Sequence, residues 1–321
     1  MSTVTKDSPF ISRFLAWMHE RFPFPNALLF FSLYLSAVLL GQFIAHPGEV
    51  YLGLRELLGF FPVWFFFLLL RVYDEHKDYE LDVQNYPDRV LQSGLITLGH
   101  LKIAGALAIA VQLGGSLLLD GGFGPITISW LVVFGYSLLM AKEFFCGEWL
   151  EKRLPLYAFS HMIIMPMALI WMVQMGAVGV SLPLEIALLA GLSFLSGAAF
   201  EVTRKLRAPE EERENVDSYT KYFGPAGASA LVGLLLLSSA FMLAGLASWV
   251  FGEVPSLGWL VALFGLIIPA YWALFSFSKN PTAKTRKPTE GMVALAMLGG
   301  YLFLTVALLS SQAVTWGSSP L

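Results

Sequence analysis

Three aspartates, Asp74, Asp78 and Asp82, stand at i, i+4 and i+8 within the segment Asp74-Glu75-His76-Lys77-Asp78-Tyr79-Glu80-Leu81-Asp82. On a helix this spacing stacks the carboxylates along one face. Like charges at i and i+4 repel, so local helix stability does not favour the pattern. A divalent cation or a cationic ligand would account for it. An apolar run from Phe60 to Leu70 leads straight into the segment. Ionisable groups at the mouth of such a run read as a functional site. The structural alternative is a solvated helix end whose acids pair with Arg71 and Lys77.

Other charged groups lie at comparable positions. Glu201, Arg204, Lys205 and Arg207 close a later apolar run and lead into the acidic stretch Glu210 to Glu214. An ion-pair network accounts for the first group and a solvated face for the second. Lys142 and Glu143 end another run, where snorkelling to the interface is the ordinary behaviour. His161 is the one histidine well inside an apolar stretch. It reads as a satisfied core histidine before it reads as a base.

The elements that carry these residues follow from composition. The chain is 56% hydrophobic and 13% charged, against roughly 25% charged in ordinary soluble domains. Apolar runs of about 20 residues recur throughout, the length of a membrane span. The expected fold is an all-α polytopic membrane protein, because helices satisfy their own backbone groups in lipid. Nine spans are expected, near Asn26–Ala45, Leu54–Val72, Leu101–Leu119, Ile126–Phe145, Leu156–Val178, Leu182–Arg204, Pro225–Phe251, Leu257–Ser278 and Met292–Gln312. Residues 1–25 form a cytoplasmic or interfacial segment, amphipathic around Phe10 to Phe22. Residues 26–321 form a single transmembrane domain. The single cysteine, Cys146, excludes an intramolecular disulfide.

Positive charge sets the expected orientation. Nineteen of the twenty Lys and Arg residues fall in the N-terminal segment or after even-numbered spans, counting Lys102 at the start of the third, and only Arg55 lies on the other side. The positive-inside rule puts the N-terminus and the charged loops in the cytoplasm and the C-terminus outside. A bacterial inner (cytoplasmic) membrane is the expected location. The basic loop from Ser278 to Gly291 reads as a topogenic loop touching anionic lipid head groups. The net charge of −3 selects no particular partner, and no nucleic acid is expected.

The first acidic segment continues as Asn85-Tyr86-Pro87-Asp88-Arg89-Val90-Leu91-Gln92-Ser93-Gly94. Together they resemble the first motif of the UbiA-type intramembrane prenyltransferases, N-D-x-x-D-x-x-x-D followed by R-P-L-x-S-G. On that register Asp74 stands at the family's Asn, and Glu75, Asp78 and Asp82 stand at its three Asp positions. Arg89, Leu91, Ser93 and Gly94 match the tail, with Val90 in place of Pro. Nine helices around a central cavity, with motifs after the second and sixth spans, is also the family's layout. The second motif departs from the pattern. Glu201 takes the first acidic position, Ala208 falls near the middle one, and Glu211 or Glu212 stands near the last. Arg204, Lys205 and Arg207 add cations to the site.

The resemblance implies a prenyl diphosphate donor, a lipophilic acceptor and Mg2+. Departure of diphosphate needs strong electrostatic stabilisation, and magnesium prefers carboxylate oxygens and bridges to phosphates. Asp74, Glu75, Asp78, Asp82 and Glu201 are the expected metal ligands. Arg89, Lys142, Arg204 and Lys205 are expected to hold the diphosphate, with Arg suited to bidentate contact. Asp78, Asp82, Arg89 and Arg204 are the expected catalytic residues. Two alternatives stay open. The fold could serve another donor, as in phosphoribosyl-type transfer to a prenyl phosphate or terpene cyclisation. The carboxylates could instead line a metal or solute transport path, although transporters tend to place such groups near the midplane on broken helices.

Overall fold

The computed structural model describes residues 4–213 and 216–318. Eight helices are long and apolar enough to cross a membrane: Asn26–Ala45, Leu54–Lys77, Leu98–Asp120, Leu154–Gly176, Ile186–Arg204, Tyr219–Phe251, Leu257–Lys279 and Ala283–Ser311. Pro125–Ala141 is equally apolar but only 17 residues long. It lies fourth in chain order, and a helix of that length is at the short end of what spans a bilayer. With it the nine expected spans are all present as helices.

Each span packs against the next in sequence, and the first also packs against the ninth, so the series closes on itself. The first and fifth spans meet at backbone distance. A Cβ on Gly41 would lie 2.2 Å from the carbonyl oxygen of Val173, and one on Gly176 would lie 2.1 Å from that of Val38. Only glycine permits this approach, the small-residue packing that joins helices in lipid. Buried Gln112 ties three spans together. Its amide donates to the carbonyls of Phe65 and Ala108 at 3.3 and 3.0 Å and accepts from the Trp130 indole at 3.1 Å.

The ends differ from the sequence expectation in instructive ways. The fourth span stops at Ala141 rather than Phe145. Glu143, Phe144 and Phe145 all have positive φ, of 49, 52 and 58°. Such backbone is costly for residues with a Cβ and persists only where the surroundings enforce it. The seventh span begins at Tyr219 rather than Pro225, but its helix is broken at Gly224, where φ is 67° and ψ 167°. The ninth begins at Ala283, capped by the Thr282 hydroxyl accepting from the Thr285 amide at 3.3 Å. Much of the expected basic loop is therefore the first turns of this helix. At the opposite end of the molecule Glu49–Leu52 and Ala313–Trp316 pair as two short parallel strands, with Glu49 opposite Ala313. No sequence pattern announced them.

The N-terminal segment forms a helix, Phe10–Arg21. Trp17, Met18 and Phe22 are buried in the same core as the first, second and fifth spans. Arg13 donates to the Leu95 carbonyl at 3.0 Å, and Glu20 accepts from the Val90 amide at 3.2 Å. The helix is thus clamped across the loop that follows the first acidic motif.

Candidate active site

The second span ends at Lys77, and Asp78 caps it with φ −89° and ψ 3°. A separate short helix, Tyr79–Asn85, follows. The i→i−4 backbone bonds continue through the break, from Asp78 to Asp74 at 2.9 Å and from Asp82 to Asp78 at 2.8 Å. The acids of the motif nevertheless divide into two sets.

Glu75 and Asp82 face arginines. Arg21 Nε donates to Glu75 Oε1 at 2.6 Å, Arg71 Nε donates to the same oxygen at 2.9 Å, and Arg71 adds a second, shorter contact. Arg89 donates to Asp82 Oδ2 at 2.7 Å, and Arg21 reaches that oxygen at 3.4 Å. Both acids are buried, Glu75 at 1% exposure. Burial works against the charge on Arg21, but Glu75 and then Asp82 outweigh it and hold its pKa above the ordinary value. Arg89 also lies 3.7 Å above the Tyr86 ring.

Asp74 and Asp78 are left differently placed. Asp74 has a side chain 42% exposed, with Arg71 no nearer than 3.7 Å. Asp78 has no ion pair among the described residues. Its pKa is pushed up to about 6, chiefly by burial, with Lys77 opposing and the charges of Asp74 and Asp82 adding. The end of the sixth span comes to these two acids. Lys77 is the foremost charge felt by both; Arg204 and Glu201 also lie within electrostatic reach of Asp74, and Lys205 within reach of Asp78. Glu201 is paired with Lys205 at 2.8 Å. Arg204 is exposed and has no ion pair among the described residues.

A second network borders this site, and sequence reasoning did not select it as functional. Glu143 Oε1 lies 3.0 Å from Lys77 Nζ and accepts from the Tyr157 hydroxyl at 3.2 Å, while Oε2 lies 3.3 Å from His161 Nε2. Lys77 donates to the Tyr157 hydroxyl at 2.7 Å. The Tyr157 and His161 rings stack at 3.9 Å, and Phe144 meets His161 edge-on at 5.7 Å. Burial raises the Glu143 pKa, but the His161 hydrogen bond and Lys77 prevail and hold it down to about 2. The available signal was the i, i+4 spacing of Tyr157 and His161, which lines one face of the fifth span.

Of the residues expected from sequence, the structure gathers Asp74, Asp78, Glu201, Arg204 and Lys205 at one place. It commits Glu75, Asp82 and Arg89 to an arginine–carboxylate cluster beside it. Lys142 is exposed at the end of the fourth span and, among the described residues, makes no ion pair with these acids. Its neighbour Glu143 turns inward instead. The acidic stretch after the sixth span is structural: Glu211 pairs with Arg286, Glu212 accepts from Ser218 and Thr220 at 2.6 and 2.7 Å, and Glu210 accepts from the Ala283 amide at 2.6 Å. Glu214 lies outside the described residues. Burial, opposed by the stronger Arg286 hydrogen bond, leaves the Glu211 pKa lowered. Arg213 reaches back to the first motif, donating to the Asn85 carbonyl at 2.9 Å.

Two cavities are lined by other residues of the elements around these acids. A polar opening of ≈ 570 Å³ lies at the charged end, lined by Glu148, Lys152, Asp217 and Tyr222. A mostly apolar cavity of ≈ 30 Å³ lies among the sixth to ninth spans, with Ser196, Leu243, Met297 and Tyr301 in its wall. It holds little more than a water. Ser196 is five residues before Glu201, so the cavity begins roughly 7 Å deeper along the same helix.

Among the described residues, no three of His, Cys, Asp or Glu converge as a ready-made metal centre. Magnesium does not require one, since it is commonly held by one or two carboxylates together with substrate phosphates and water. Asp74 and Asp78 fit that requirement.

The backbone has known counterparts. It superposes on a solved structure of a digeranylgeranylglyceryl phosphate synthase with a TM-score of 0.60 and 19% identity, over 93% of this chain and 99% of the other. It superposes on the apo structure of a UbiA homolog from Aeropyrum pernix K1 with a TM-score of 0.62 and 14% identity, over 87% and 98% of the two chains. At these identities the likeness speaks for the fold. No curated protein matches in sequence. The model of the UbiA prenyltransferase family matches residues 34–297, which takes in both motifs and all but the outer ends of the helical series. The chain therefore belongs to the UbiA prenyltransferase family and is an intramembrane prenyl-transferring enzyme.

Proposed function

We propose that the chain moves an isoprenyl group from a prenyl diphosphate to a lipophilic acceptor, using one Mg2+ held against Asp74 and Asp78. The observation that carries this reading is the division of the acids. Glu75, Asp82 and Glu201 are already neutralised by Arg21, Arg71, Arg89 and Lys205. Asp78, with no ion pair, and Asp74, with only Arg71 at 3.7 Å, are the carboxylates least committed to a cation, and the guanidinium of Arg204 has no ion pair among the described residues and is available for the phosphate oxygens.

Magnesium bound there would offset charge on the departing diphosphate. Arg204 would hold the same leaving group through paired donors. In the reaction the bond from the allylic carbon to the diphosphate oxygen breaks and a bond to the acceptor forms. The diphosphate leaves with the bonding electrons, and the acceptor gives up a proton. Apolar walls below the rim keep water from the electron-poor carbon. The ≈ 30 Å³ cavity is too small as it stands for a prenyl chain, so the spans around Ser196 and Tyr301 must part to admit one along that route. The charge distribution supports placing this rim on the cytoplasmic side.

A different donor is the second reading, supported by one observation: where the second motif of the family carries its middle acid, this chain has buried Ala208 among three cations. Transport is set aside by the family assignment.

The test incubates purified protein with labelled prenyl diphosphates, magnesium and a lipid extract. Diphosphate release that needs magnesium and is lost in Asp78→Asn supports the proposal. Turnover of a sugar phosphate with the prenyl diphosphate retained, or release indifferent to magnesium, overturns it.

A further inference from the structure

Lys77 stands between Asp74 and Asp78 in sequence, on the last turn of the second span. A lysine there would be expected to fold onto its own carboxylates, at i−3 or i+1, and compete with any cation. It does neither. Among the described residues Lys77 makes no ion pair with Asp74 or Asp78. Its ammonium is drawn to Glu143 at 3.0 Å and to the Tyr157 hydroxyl at 2.7 Å, on different elements.

The grip on Lys77 is built with care. Glu143 opens the run of three consecutive left-handed residues; its Oε1 is held by Lys77 and Tyr157, and its Oε2 lies 3.3 Å from His161 Nε2. Tyr157 is in turn held by its stack on His161. Strained backbone of this kind costs energy and persists where the surroundings over-determine it. Lys205 lies 5.2 Å from the same Tyr157 ring and pairs with Glu201, so the second lysine beside the acids is occupied as well.

We propose that Glu143 is a positioning residue: it holds Lys77 away from Asp74 and Asp78 and so leaves both carboxylates to a divalent cation. This rests on the reading of Asp74 and Asp78 as the cation site. Glu143 itself touches neither the cation nor the substrate. Releasing Lys77 turns an ammonium back toward the two aspartates, where it occupies them at the expense of the metal.

The experiment measures Mn2+ binding to the full-length protein in detergent, by the loss of the free-ion paramagnetic resonance signal, without substrate. Asp78→Asn is the control for the site. If the wild-type protein binds no Mn2+ that Asp78→Asn removes, the cation reading fails and this inference with it. If that control holds, Glu143→Gln is expected to weaken Mn2+ binding roughly tenfold, the scale of one partly screened charge pair. The decisive comparison is the same substitution in a Lys77→Met background, where it should have no effect. Equal weakening in both backgrounds would mean that Glu143 acts only by its distant charge, and would overturn the proposal. Unchanged binding in Glu143→Gln would overturn it too. Tyr157→Phe removes the other acceptor for Lys77 without changing charge. It is expected to weaken Mn2+ binding a few-fold, again only while Lys77 is present, and it serves should Glu143→Gln fail to fold.

Discussion

Arg21 of the N-terminal helix lies 2.6 Å from Glu75 of the second span, 54 residues away in sequence. Glu75 has a fully buried side chain, and Arg21 is 16% exposed. Buried charge is tolerable only while paired, and removing one partner of such a pair typically costs about 3–5 kcal/mol. Arg71 remains on Glu75 when Arg21 is lost, so Arg21→Ala is expected to cost about 3 kcal/mol, the low end of that range. Denaturant unfolding in detergent measures this. Arg71→Ala should cost at least as much. A loss under about 0.5 kcal/mol would place the pair with surface ion pairs.

Asp78→Asn and Asp82→Asn should both reduce prenyl transfer more than Glu211→Gln, for different reasons. Asp78 faces the proposed cation, so its loss should remove diphosphate release at any substrate concentration. Asp82 anchors Arg89 at 2.7 Å, so its loss should loosen the motif's tail and lower thermal stability as well as rate. Glu211 pairs with Arg286 at the base of the ninth span. Glu211→Gln should lower the melting temperature and leave the catalytic constant of the folded fraction near that of the wild type.

Glu143 gives the expected pH dependence of stability. Its folded-state pKa, about 2, lies below the ordinary value of 4.5. A carboxyl lowered in this sense adds stability that is fully present above the ordinary value. That stability is lost as the pH falls through the folded one. The gap in melting temperature between wild type and Glu143→Gln should therefore be widest near neutrality. It should narrow steadily from about pH 4.5 down to about pH 2. Differential scanning fluorimetry across that range checks the sign, and a gap that widens on acidification would contradict it.

Gly176 and Gly41 set the contact between the first and fifth spans. A Cβ at Gly176 would sit 2.1 Å from the Val38 carbonyl oxygen and 2.9 Å from the Gln42 amide nitrogen, both backbone atoms that cannot turn aside. Gly176→Ala should destabilise by about 1–3 kcal/mol, the usual cost of overpacking, and Gly176→Leu should prevent folding. Gly135, with nothing within 4 Å of its Cβ position, is the control: Gly135→Ala should be neutral or slightly stabilising.

The sequence by itself determined the membrane class, the number and order of the spans, most of their ends to within a few residues (the starts of the seventh and ninth excepted), and the family. Each rests on a property local in the chain: the length of an apolar run, the alternation of charge between loops, and the spacing of Asp74, Asp78 and Asp82. Helices in lipid must satisfy their backbones internally, so hydropathy alone almost forces the architecture. Which cation meets which carboxylate was decided only by the tertiary structure. Arg21, Glu143 and Tyr157 reach the first motif from three other elements, and nothing in their neighbours along the chain marks them. Lys142 and Glu143 looked alike as a rim pair, yet a left-handed turn sends one outward and the other to Lys77. Coulomb energy depends on separation in space and on local polarisability. Four acids close together in sequence could therefore end as two closely paired buried carboxylates and two without a close partner only after the helices had packed.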